Sequence, residues 1–458
     1  MAEEIKDDVV VNGVHNYSQE DQYVWPTDPE VVKKLEWFRD QKFALMMHWG
    51  TYSQLGLVES WALSDEDGDW SRNDIDWTDD MEEFKKQYFD LNKTFNPIRF
   101  QPEKWAKAAK EAGFKYFIFT TKHHDGFCMW DTQYTDYKIT GEDCPFHTNK
   151  NADVCKKIFD AMRAEGIGIT AYFSKADWHC PDYWNSGYER GTKTWRGPSY
   201  DPEKYPEVWK RFETFTHNQV NELMDNYGPI DALWFDAGWV CKEGGQDIHL
   251  GDMMDKIREK HPGVLSVDRT IGGPYENYVT PEQCVPEEPL NIPWESCITM
   301  GTSFSFGYED KYKTPREIIT LLTNIVAKGG NLALNVGPQP DGRLPKGALE
   351  SMKGIGAWLQ KYGESIYGTR VCAPYKQDGI CFTQKEKEHV VYALKQYEEE
   401  GMTVEKSFIV PLEKKVKRAV DLYTGKEVKV SQVAGGYQVE LDETEENAIA
   451  TVIRFDVE

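Results

Sequence analysis

A chain of 458 residues exceeds the roughly 300 residues that one hydrophobic core usually holds, so it predicts a large domain and a smaller one. Its net charge of -24, from 53 Lys and Arg against 77 Asp and Glu, argues against nucleic-acid binding, which needs clustered cations. Aromatic residues make up 13% of the chain, a content that suits a site offering flat apolar faces to sugar rings.

The cysteines and the N-terminus give an expectation of the cellular compartment in which the protein functions. The nine cysteines are scattered and include no Cys-x-x-Cys pair, which indicates a reducing compartment and neither a disulfide framework nor a zinc site. The N-terminus lacks the basic and apolar pattern of a signal peptide, and no run of about 18 apolar residues occurs. The sequence therefore predicts a cytoplasmic protein without a membrane partner, or a secreted or periplasmic one if a signal peptide was removed.

The first part of the chain predicts an arm, a strand, a loop and a helix. Residues 1–25 are polar and acidic and are expected to form an N-terminal arm over the main domain. Residues 43–50 are an apolar run that ends in His48-Trp-Gly and predicts the first strand. Residues 64–92, rich in Asp, Trp and Gly, are expected to form a long loop. Residues 101–113 predict a helix with one apolar stripe.

Helices and strands then alternate within residues 26–366. Further strands are predicted at residues 115–125, 168–174, 231–239, 263–270 and 331–337, and further helices at 151–166, 206–227, a segment ending near 261, 314–328 and 349–362. Such alternation predicts parallel strands joined by right-handed crossovers. The length of this alternating region, and the absence of a Gly-rich phosphate loop after the first strand, favour a (β/α)8-like TIM barrel over a doubly wound sheet.

The pattern changes after residue 366. Short alternating strands at residues 388–394, 407–410 and 448–455, with turns such as Gly435-Gly436, predict a C-terminal β-sandwich over residues 367–458. Its expected role is to brace the barrel rather than to bind carbohydrate independently.

Polar and aromatic residues gather at the ends of the predicted barrel strands. Carboxyl ends of parallel barrel strands meet at one face, where chemistry collects. Burying unpaired polar groups costs about 1 to 3 kcal/mol each, so several of them in one place need a purpose. The convergence predicts a polyol-binding pocket. The residues are His48, His123, His124, Tyr172, Trp234, Asp236 and Arg269, with Glu282 and Glu295 shortly afterwards.

The residues favour chemistry by two carboxylates. A metal hydrolase would be expected to carry His-x-His on its first strand, where this chain has His48-Trp-Gly, and a serine or cysteine nucleophile lacks its elbow motif. Glycoside hydrolysis needs one ionised carboxylate and one protonated acid. Asp236 and a downstream glutamate meet that need, while capping of the loop after its strand is the alternative role for Asp236.

Six segments of the barrel form a recognisable set. They are Phe43-Ala-Leu-Met-Met-His-Trp-Gly-Thr-Tyr52, Thr121-Lys-His-His-Asp-Gly-Phe127, Leu233-Trp-Phe-Asp-Ala-Gly238, Trp294-Glu-Ser-Cys297, Phe304-Ser-Phe-Gly-Tyr308 and Gly329-Gly-Asn-Leu-Ala-Leu-Asn-Val-Gly-Pro338. Together they closely resemble the α-L-fucosidases of glycoside hydrolase family 29. The C-terminal domain resembles the family's β-sandwich only in pattern.

The resemblance implies roles for individual residues. Asp236 would be the nucleophile, and Glu282, in Thr280-Pro-Glu, would be the acid/base. The alternatives for the acid/base are Glu276, Glu287, Glu288 and Glu295, of which Glu295 is rather expected to have a supporting role. Substrate contacts are implied for His48, His123, His124, Tyr172, Trp234 and Arg269, and for Glu59 and Trp61. Many members have Glu-Trp-Tyr where this chain has Glu59-Ser-Trp61-Ala.

The implied activity is retaining exo-hydrolysis of terminal α-L-fucose, with the two carboxyl groups about 5 to 5.5 Å apart. The partner would be a fucosylated oligosaccharide or glycoconjugate, and no metal or other cofactor is implied. The Thr-Pro-Glu segment resembles the subgroup that prefers fucose linked α-1,3 or α-1,4 to GlcNAc, as in Lewis-type glycans. A broad-specificity α-L-fucosidase, a non-catalytic fucose-binding relative and a metal-dependent hydrolase are the alternatives. The oligomeric state is left open.

Overall fold

The computed structural model describes residues 17–64, 68–72, 75–184, 187 and 196–458, so residues 1–16 of the expected arm lie outside the described part. Seven parallel strands form one sheet in the order β5-β4-β3-β2-β1-β7-β6. They are β1 (Phe43–Met47), β2 (Tyr116–Lys122), β3 (Gly168–Ser174), β4 (Ala232–Asp236), β5 (Leu265–Asp268), β6 (Glu295–Thr299) and β7 (Asn331–Asn335). Nearly all of their residues are buried, as in a sheet that helices cover.

Helices lie between the strands, as the alternation predicts. They are α1 (Pro29–Gln41), α2 (Met81–Phe89), α3 (Pro102–Ala112), α4 (Val154–Ala164), α5 (Pro206–Tyr227), α6 (Leu250–Lys260), α7 (Pro315–Ala327) and α8 (Lys346–Tyr362). Helix α3 ends at Gly113, whose φ of 92° is one that glycine adopts without strain. Helix α7 begins with the capping box of Thr314 and Glu317. The TIM-like architecture is therefore confirmed.

An irregular segment fills the space between the edge strands β5 and β6. On one side the Asn277 N–H donates to the Ser266 carbonyl at 2.9 Å. On the other side the Glu295 N–H donates to the Val279 carbonyl at 2.9 Å, and the Cys297 N–H to the Pro281 carbonyl at 3.0 Å. Residues 275–283 thus take the place of an eighth strand. Pro281 in this segment lacks the N–H group that a regular ladder requires.

Three elements differ from the expectations. The expected loop over residues 64–92 is wrong at its end, where α2 forms with Asp80 as its N-cap. Helix α1 was not predicted, although Asp28-Pro29 is a typical helix start. Strand β6 was not predicted either, because the buried carboxyl group of Glu295 interrupts the apolar pattern by which the other strands are recognised.

Two antiparallel sheets follow the barrel. One has the order β12-β15-β10-β9-β8 and the other β11-β14-β13. The strands are β8 (Arg370–Gln377), β9 (Ile380–Lys385), β10 (Val390–Gln396), β11 (Ser407–Val410), β12 (Val416–Asp421), β13 (Lys429–Val433), β14 (Gly436–Glu440) and β15 (Ala450–Val457). Side chains such as Phe382 and Phe455 of the larger sheet share a core with Phe408 and Val439 of the smaller one. This is the expected sandwich.

The C-terminal sandwich and the N-terminal arm both contact the barrel. Arg316 of α7 donates to the Tyr397 and Ala448 carbonyls, and Gln396 donates to the Thr323 hydroxyl at 2.6 Å. In the arm, the Tyr23 hydroxyl donates to the Asn277 carbonyl at 2.7 Å. The arm therefore supports the irregular segment between β5 and β6. Within the described ranges, none of the helices has the length and apolar character needed to cross a membrane.

Candidate active site

The structure brings most of the predicted site residues together at the carboxyl ends of the barrel strands. Asp236 lies at the end of β4, with its side chain 14% exposed. The Tyr172 hydroxyl, from β3, donates to Asp236 Oδ2. Arg269, just after β5, places Nη1 3.2 Å from Asp236 Oδ1. Neighbouring strands thus supply a donor to each oxygen of one carboxylate.

These contacts keep the carboxyl group of Asp236 ionised. Burial opposes the charge, but the adjacent Arg269 guanidinium, with the Tyr172 hydroxyl and the nearby histidines, outweighs burial and holds the pKa of Asp236 well below its usual range. An ionised, partly exposed carboxylate is what a nucleophile requires. A residue that only capped the loop after β4 would not need these contacts with Arg269 and Tyr172.

One guanidinium joins Asp236 to Glu282. Arg269 Nη2 donates to Glu282 Oε2, while Nη1 contacts Asp236. Glu282 lies on the irregular segment, and the next residue, Gln283, is held by β6 because its N–H donates to the Cys297 carbonyl at 2.9 Å. The two side chains have similar exposed fractions, 14% for Asp236 and 16% for Glu282. Two carboxyl groups, one at the end of β4 and one on the irregular segment, therefore lie on the same guanidinium.

Trp234 lies against the same cluster. Its ring stacks on Tyr172 with centroids 5.2 Å apart, and the Arg269 guanidinium lies 5.1 Å from the Trp234 ring centroid. Its Nε1 donates to Glu295 Oε1 at 3.3 Å. Trp234 thus orients Tyr172 and Arg269, the two donors to Asp236.

The hydrogen bonds of His48 and His124 fix their tautomers. Asn335 Nδ2 donates to the Phe304 carbonyl, so Asn335 Oδ1 accepts from His48 Nδ1 at 2.8 Å. The Ser174 hydroxyl donates to the Ala176 carbonyl, so its oxygen accepts from His124 Nδ1 at 2.7 Å. Burial lowers the pKa of both histidines to about 4. At neutral pH each ring therefore presents Nε2 as a hydrogen-bond acceptor.

His123 lies between these two rings. Its centroid is 4.1 Å from that of His124 and 5.8 Å from that of His48, and Ser60 contacts its Nδ1. Burial holds the pKa of His123 well below its ordinary value. Three neutral imidazoles in one wall suit a neutral polyol better than an anion.

The loop after β1 brings Glu59 and Trp61 to the site. The Glu59 N–H donates to Ser305 Oγ at 3.2 Å, while Glu59 Oε1 is buried without a protein hydrogen-bond partner. Its φ of 44° is uncommon for a residue with a side chain and typical of functional sites. The Trp61 ring lies 5.3 Å from that of His124 and 6.1 Å from that of Trp239. Both predicted residues therefore lie at the pocket.

Three of the four alternative glutamates have other partners, and the fourth, Glu287, is exposed. Glu276 accepts from the N–H groups of Thr270 and Gly272 and from the Ser18 hydroxyl, so it supports the turn after Arg269. Glu295 is buried and accepts from Tyr116 and Trp234 in the barrel interior. Glu287 and Glu288 are exposed, and Glu288 accepts from Tyr375 of the sandwich at 2.7 Å. Of the five glutamates considered, Glu282 is the one that shares Arg269 with Asp236.

The residues that orient the histidines were not predicted from the sequence. These are Ser60, Ser174, Asn335 and Phe304. Phe304 and Asn335 belong to the recognised motifs, but the motifs did not indicate which histidine they contact. Ser60 and Ser174 carry no signal of their own, since a single serine forms no recognisable motif.

The described residues contain one group that could hold a metal ion, His123, His124 and Asp236, whose ligand atoms lie within 4.8 Å of one another. Arg269 lies 3.2 Å from Asp236 Oδ1, and its positive charge would oppose a cation there. Tyr172 already donates to the other carboxylate oxygen. The donor set therefore fits a sugar pocket better than a metal centre.

Glu59 gives the site a pH-dependent effect on stability. Burial, reinforced by the nearby Glu282 and Asp236 carboxylates, raises the pKa of Glu59 to about 8 from the ordinary 4.5. Between these values the folded protein keeps the Glu59 proton while the unfolded chain loses it, so folding is progressively disfavoured as pH rises, by at most about 1.4 kcal/mol per pH unit. Because glutamine does not titrate, we expect Glu59→Gln to lack this loss of stability with rising pH. The Tm of the variant minus that of the wild type should rise between pH 4.5 and 8.

The control is Glu287→Gln at an exposed position, for which the Tm difference should be small at every pH. Thermal melts in matched buffers measure both differences. A Tm difference for Glu59→Gln that does not change with pH would mean that the Glu59 carboxyl group is not protonated in the folded protein.

Comparison with known proteins agrees with this geometry. A family model described as alpha-L-fucosidase matches residues 10–364. The structure of α-L-fucosidase isoenzyme 1 from Paenibacillus thiaminolyticus is similar, with a TM-score of 0.76, 30% identity and coverage of 94% of this chain and 100% of that one. A GH29 α-L-fucosidase from Bacteroides thetaiotaomicron, solved as a trapped covalent intermediate in a glutamate-to-glutamine variant, has a TM-score of 0.74, 26% identity and coverage of 97% and 99%.

Curated sequences point the same way. The plasma α-L-fucosidase of Homo sapiens is 26% identical over 378 residues, which are 78% of this chain and 75% of that protein. The family model spans the whole barrel, and the two solved structures extend the similarity through the C-terminal sandwich. The chain therefore belongs to the α-L-fucosidase family, glycoside hydrolase family 29.

Proposed function

We propose that the protein is a retaining exo-α-L-fucosidase in which Asp236 is the nucleophile and Glu282 the acid/base. The observation that carries this proposal is the Arg269 guanidinium that contacts both carboxyl groups. The trapped covalent intermediate of the Bacteroides thetaiotaomicron relative supports the retaining course. The small exposed fractions of Asp236, Glu282 and Arg269, each 14 to 16%, suit a narrow pocket for one terminal sugar.

In the first step the ionised Asp236 attacks the anomeric carbon of the fucose. The bond from that carbon to the glycosidic oxygen breaks, and the oxygen takes a proton from Glu282. Arg269 and Tyr172 hold the Asp236 carboxylate in one orientation, which limits the entropy that the attack costs. The product of this step is a fucosyl ester of Asp236 and a free glycan.

In the second step Glu282, now a carboxylate, removes a proton from water. The water oxygen attacks the anomeric carbon, and Asp236 leaves as a carboxylate, so the configuration is retained overall. The positive charge of Arg269 contacts Glu282 and attracts the negative charge that Glu282 carries at the start of this second step. For the first step, Glu282 must carry a proton and turn from Arg269 toward the leaving oxygen.

The histidine wall accounts for recognition of the sugar. Nε2 of His48 and of His124 accepts hydrogen bonds at neutral pH, and fucose hydroxyls are donors for such acceptors. Glu59 Oε1, buried without a protein partner, offers a further polar contact. Trp61, Trp234 and Tyr172 provide the aromatic surface that the methyl group and ring face of fucose require.

We further propose a preference for fucose linked α-1,3 or α-1,4 to GlcNAc, supported by the Thr280-Pro-Glu282 segment. An enzyme with this preference should hydrolyse a Lewis-type trisaccharide with at least about a tenfold higher kcat/KM than an aryl α-L-fucoside, because its sites for the other sugars supply binding energy. Initial rates on both substrates measure the ratio. An equal or higher kcat/KM on the aryl fucoside would indicate broad specificity instead.

The same assay separates the remaining alternatives. Fucose binding without turnover of any substrate would indicate a non-catalytic relative. Loss of activity with a chelator, restored by a metal ion, would indicate metal-dependent hydrolysis. The Arg269 charge beside Asp236 leads us to expect no effect of the chelator.

A further inference from the structure

A groove lies on the rim of the barrel beside the proposed fucose pocket. It has a volume of about 500 Å³ and runs between the loops that follow β6 and β7. We call it the rim groove, and its lining includes Phe306, Tyr308, Tyr312, Pro340, Asp341 and Arg343. Its volume is within the range of small-molecule sites, about 300 to 1,000 Å³. The proposed mechanism uses none of these residues.

The aromatic rings of the rim groove are exposed but held in place. Tyr308 is 64% exposed, yet its hydroxyl donates to the Gln54 carbonyl at 2.9 Å and its ring meets Phe306 edge to face at 5.0 Å. A Cβ on Gly56 would lie 3.0 Å from the Tyr308 ring, so a glycine lets that ring approach the backbone. An exposed ring fixed at both ends is a preorganised platform.

The charged groups of the rim groove already have partners within the protein. Arg343 binds Asp341 at 2.7 Å, and Lys346 lies 3.6 Å from Glu350. Asp310 accepts from the Thr302 N–H and hydroxyl, at 2.6 and 2.7 Å. The groove therefore offers a ligand aromatic surface, bordered by polar groups that already have partners in the protein. That combination favours a neutral pyranose over an ion.

One segment connects the rim groove to the fucose pocket. The Phe304 ring lies 5.0 Å from the His48 ring, and Ser305 Oγ accepts from the Glu59 N–H. The next residue, Phe306, already lines the groove. A glycan whose terminal fucose reaches His48 and Glu59 would therefore extend along residues 304–308 toward Tyr308.

We propose that the rim groove binds a pyranose ring of the glycan to which the fucose is attached, with Tyr308 as its stacking platform. The proposal rests on the proposed function for the identity of that glycan. The predicted binding of a sugar in the rim groove does not depend on catalysis, because a saccharide without fucose should also occupy the groove.

The test uses N-acetyllactosamine as the probe, with L-fucose in excess to fill the fucose pocket. Saturation-transfer NMR should detect N-acetyllactosamine bound to the wild type, and Tyr308→Ala should weaken that binding about tenfold, as expected for the loss of one aromatic stack. Tyr308→Phe should retain most of the binding because it keeps the ring. Tyr423→Ala, at a part-exposed tyrosine of the sandwich, is the matched control and should change nothing.

Enzyme kinetics provide a second test of the rim groove. Tyr308→Ala should raise KM for a fucosylated glycan about tenfold and leave both kcat and the hydrolysis of an aryl fucoside unchanged. No binding of N-acetyllactosamine by the wild type, or equal binding by Tyr308→Ala, would overturn the rim-groove proposal. Failure of the proposed function would instead appear as a wild type that hydrolyses neither the aryl fucoside nor a fucosylated glycan.

Discussion

Replacing Asp236 with alanine is expected to lower kcat on an aryl fucoside by at least about 10⁴-fold, because no other group can form the ester to the anomeric carbon. Azide should restore turnover by entering the space that the carboxylate leaves. It would attack from the face that Asp236 uses and give β-L-fucosyl azide, which NMR of the isolated product identifies. A Tm close to that of the wild type would show that the variant is folded.

The matched control is Asp268→Asn. Asp268 also ends a barrel strand, and its side chain is equally 14% exposed, but it pairs with Lys175 rather than with Arg269. We expect it to keep most of the activity. If Asp236→Ala remained active, or if azide gave the α-azide, the nucleophile would have to be another residue.

Glu282→Gln should have the second largest effect, and its size should depend on the leaving group. With a glycan, whose leaving oxygen needs a proton, kcat/KM should fall by about 10² to 10⁴-fold. With an aryl fucoside that carries a good leaving group, the first step should survive while the second slows. The fucosyl ester of Asp236 should then accumulate, and intact-protein mass spectrometry would detect the added fucosyl group.

Glu288→Gln is the matched control for this loop, since Glu288 is exposed and contacts Tyr375. It should retain the rates of the wild type on both substrates. Azide should rescue Glu282→Gln to give α-L-fucosyl azide, the opposite anomer from that expected for Asp236→Ala. A uniform loss on both substrates without an accumulated ester would contradict the role of acid/base.

The sequence predicted the barrel well because parallel strands buried on both faces are continuous apolar runs. Six of the seven barrel strands follow that rule, and their last residues lead to Asp236, His48 and Arg269. The sequence did not predict β6, where the Glu295 carboxyl group is buried and accepts hydrogen bonds from Tyr116 and Trp234. A carboxyl group satisfied by partners far away along the chain cannot be distinguished in sequence from an exposed one.

The geometry around Glu282 could not be predicted from the sequence for a similar reason. Residues 275–283 have no helix or strand pattern, and their position follows from hydrogen bonds to β5 and β6. The bridge from Arg269 to both carboxyl groups depends on that position. The family resemblance indicated Glu282 as a candidate, whereas the structure supplies the physical reason to prefer it over Glu276 and Glu295.

The most direct test of the retaining assignment is proton NMR of the fucose first released by the wild type from an aryl α-L-fucoside. Signals of the two anomers separate, and mutarotation is slow enough for the first product to be observed. The double displacement through Asp236 and Glu282 predicts that α-L-fucose appears first and β-L-fucose later. Release of β-L-fucose first would mean direct attack by water, and Asp236 would then not be a nucleophile.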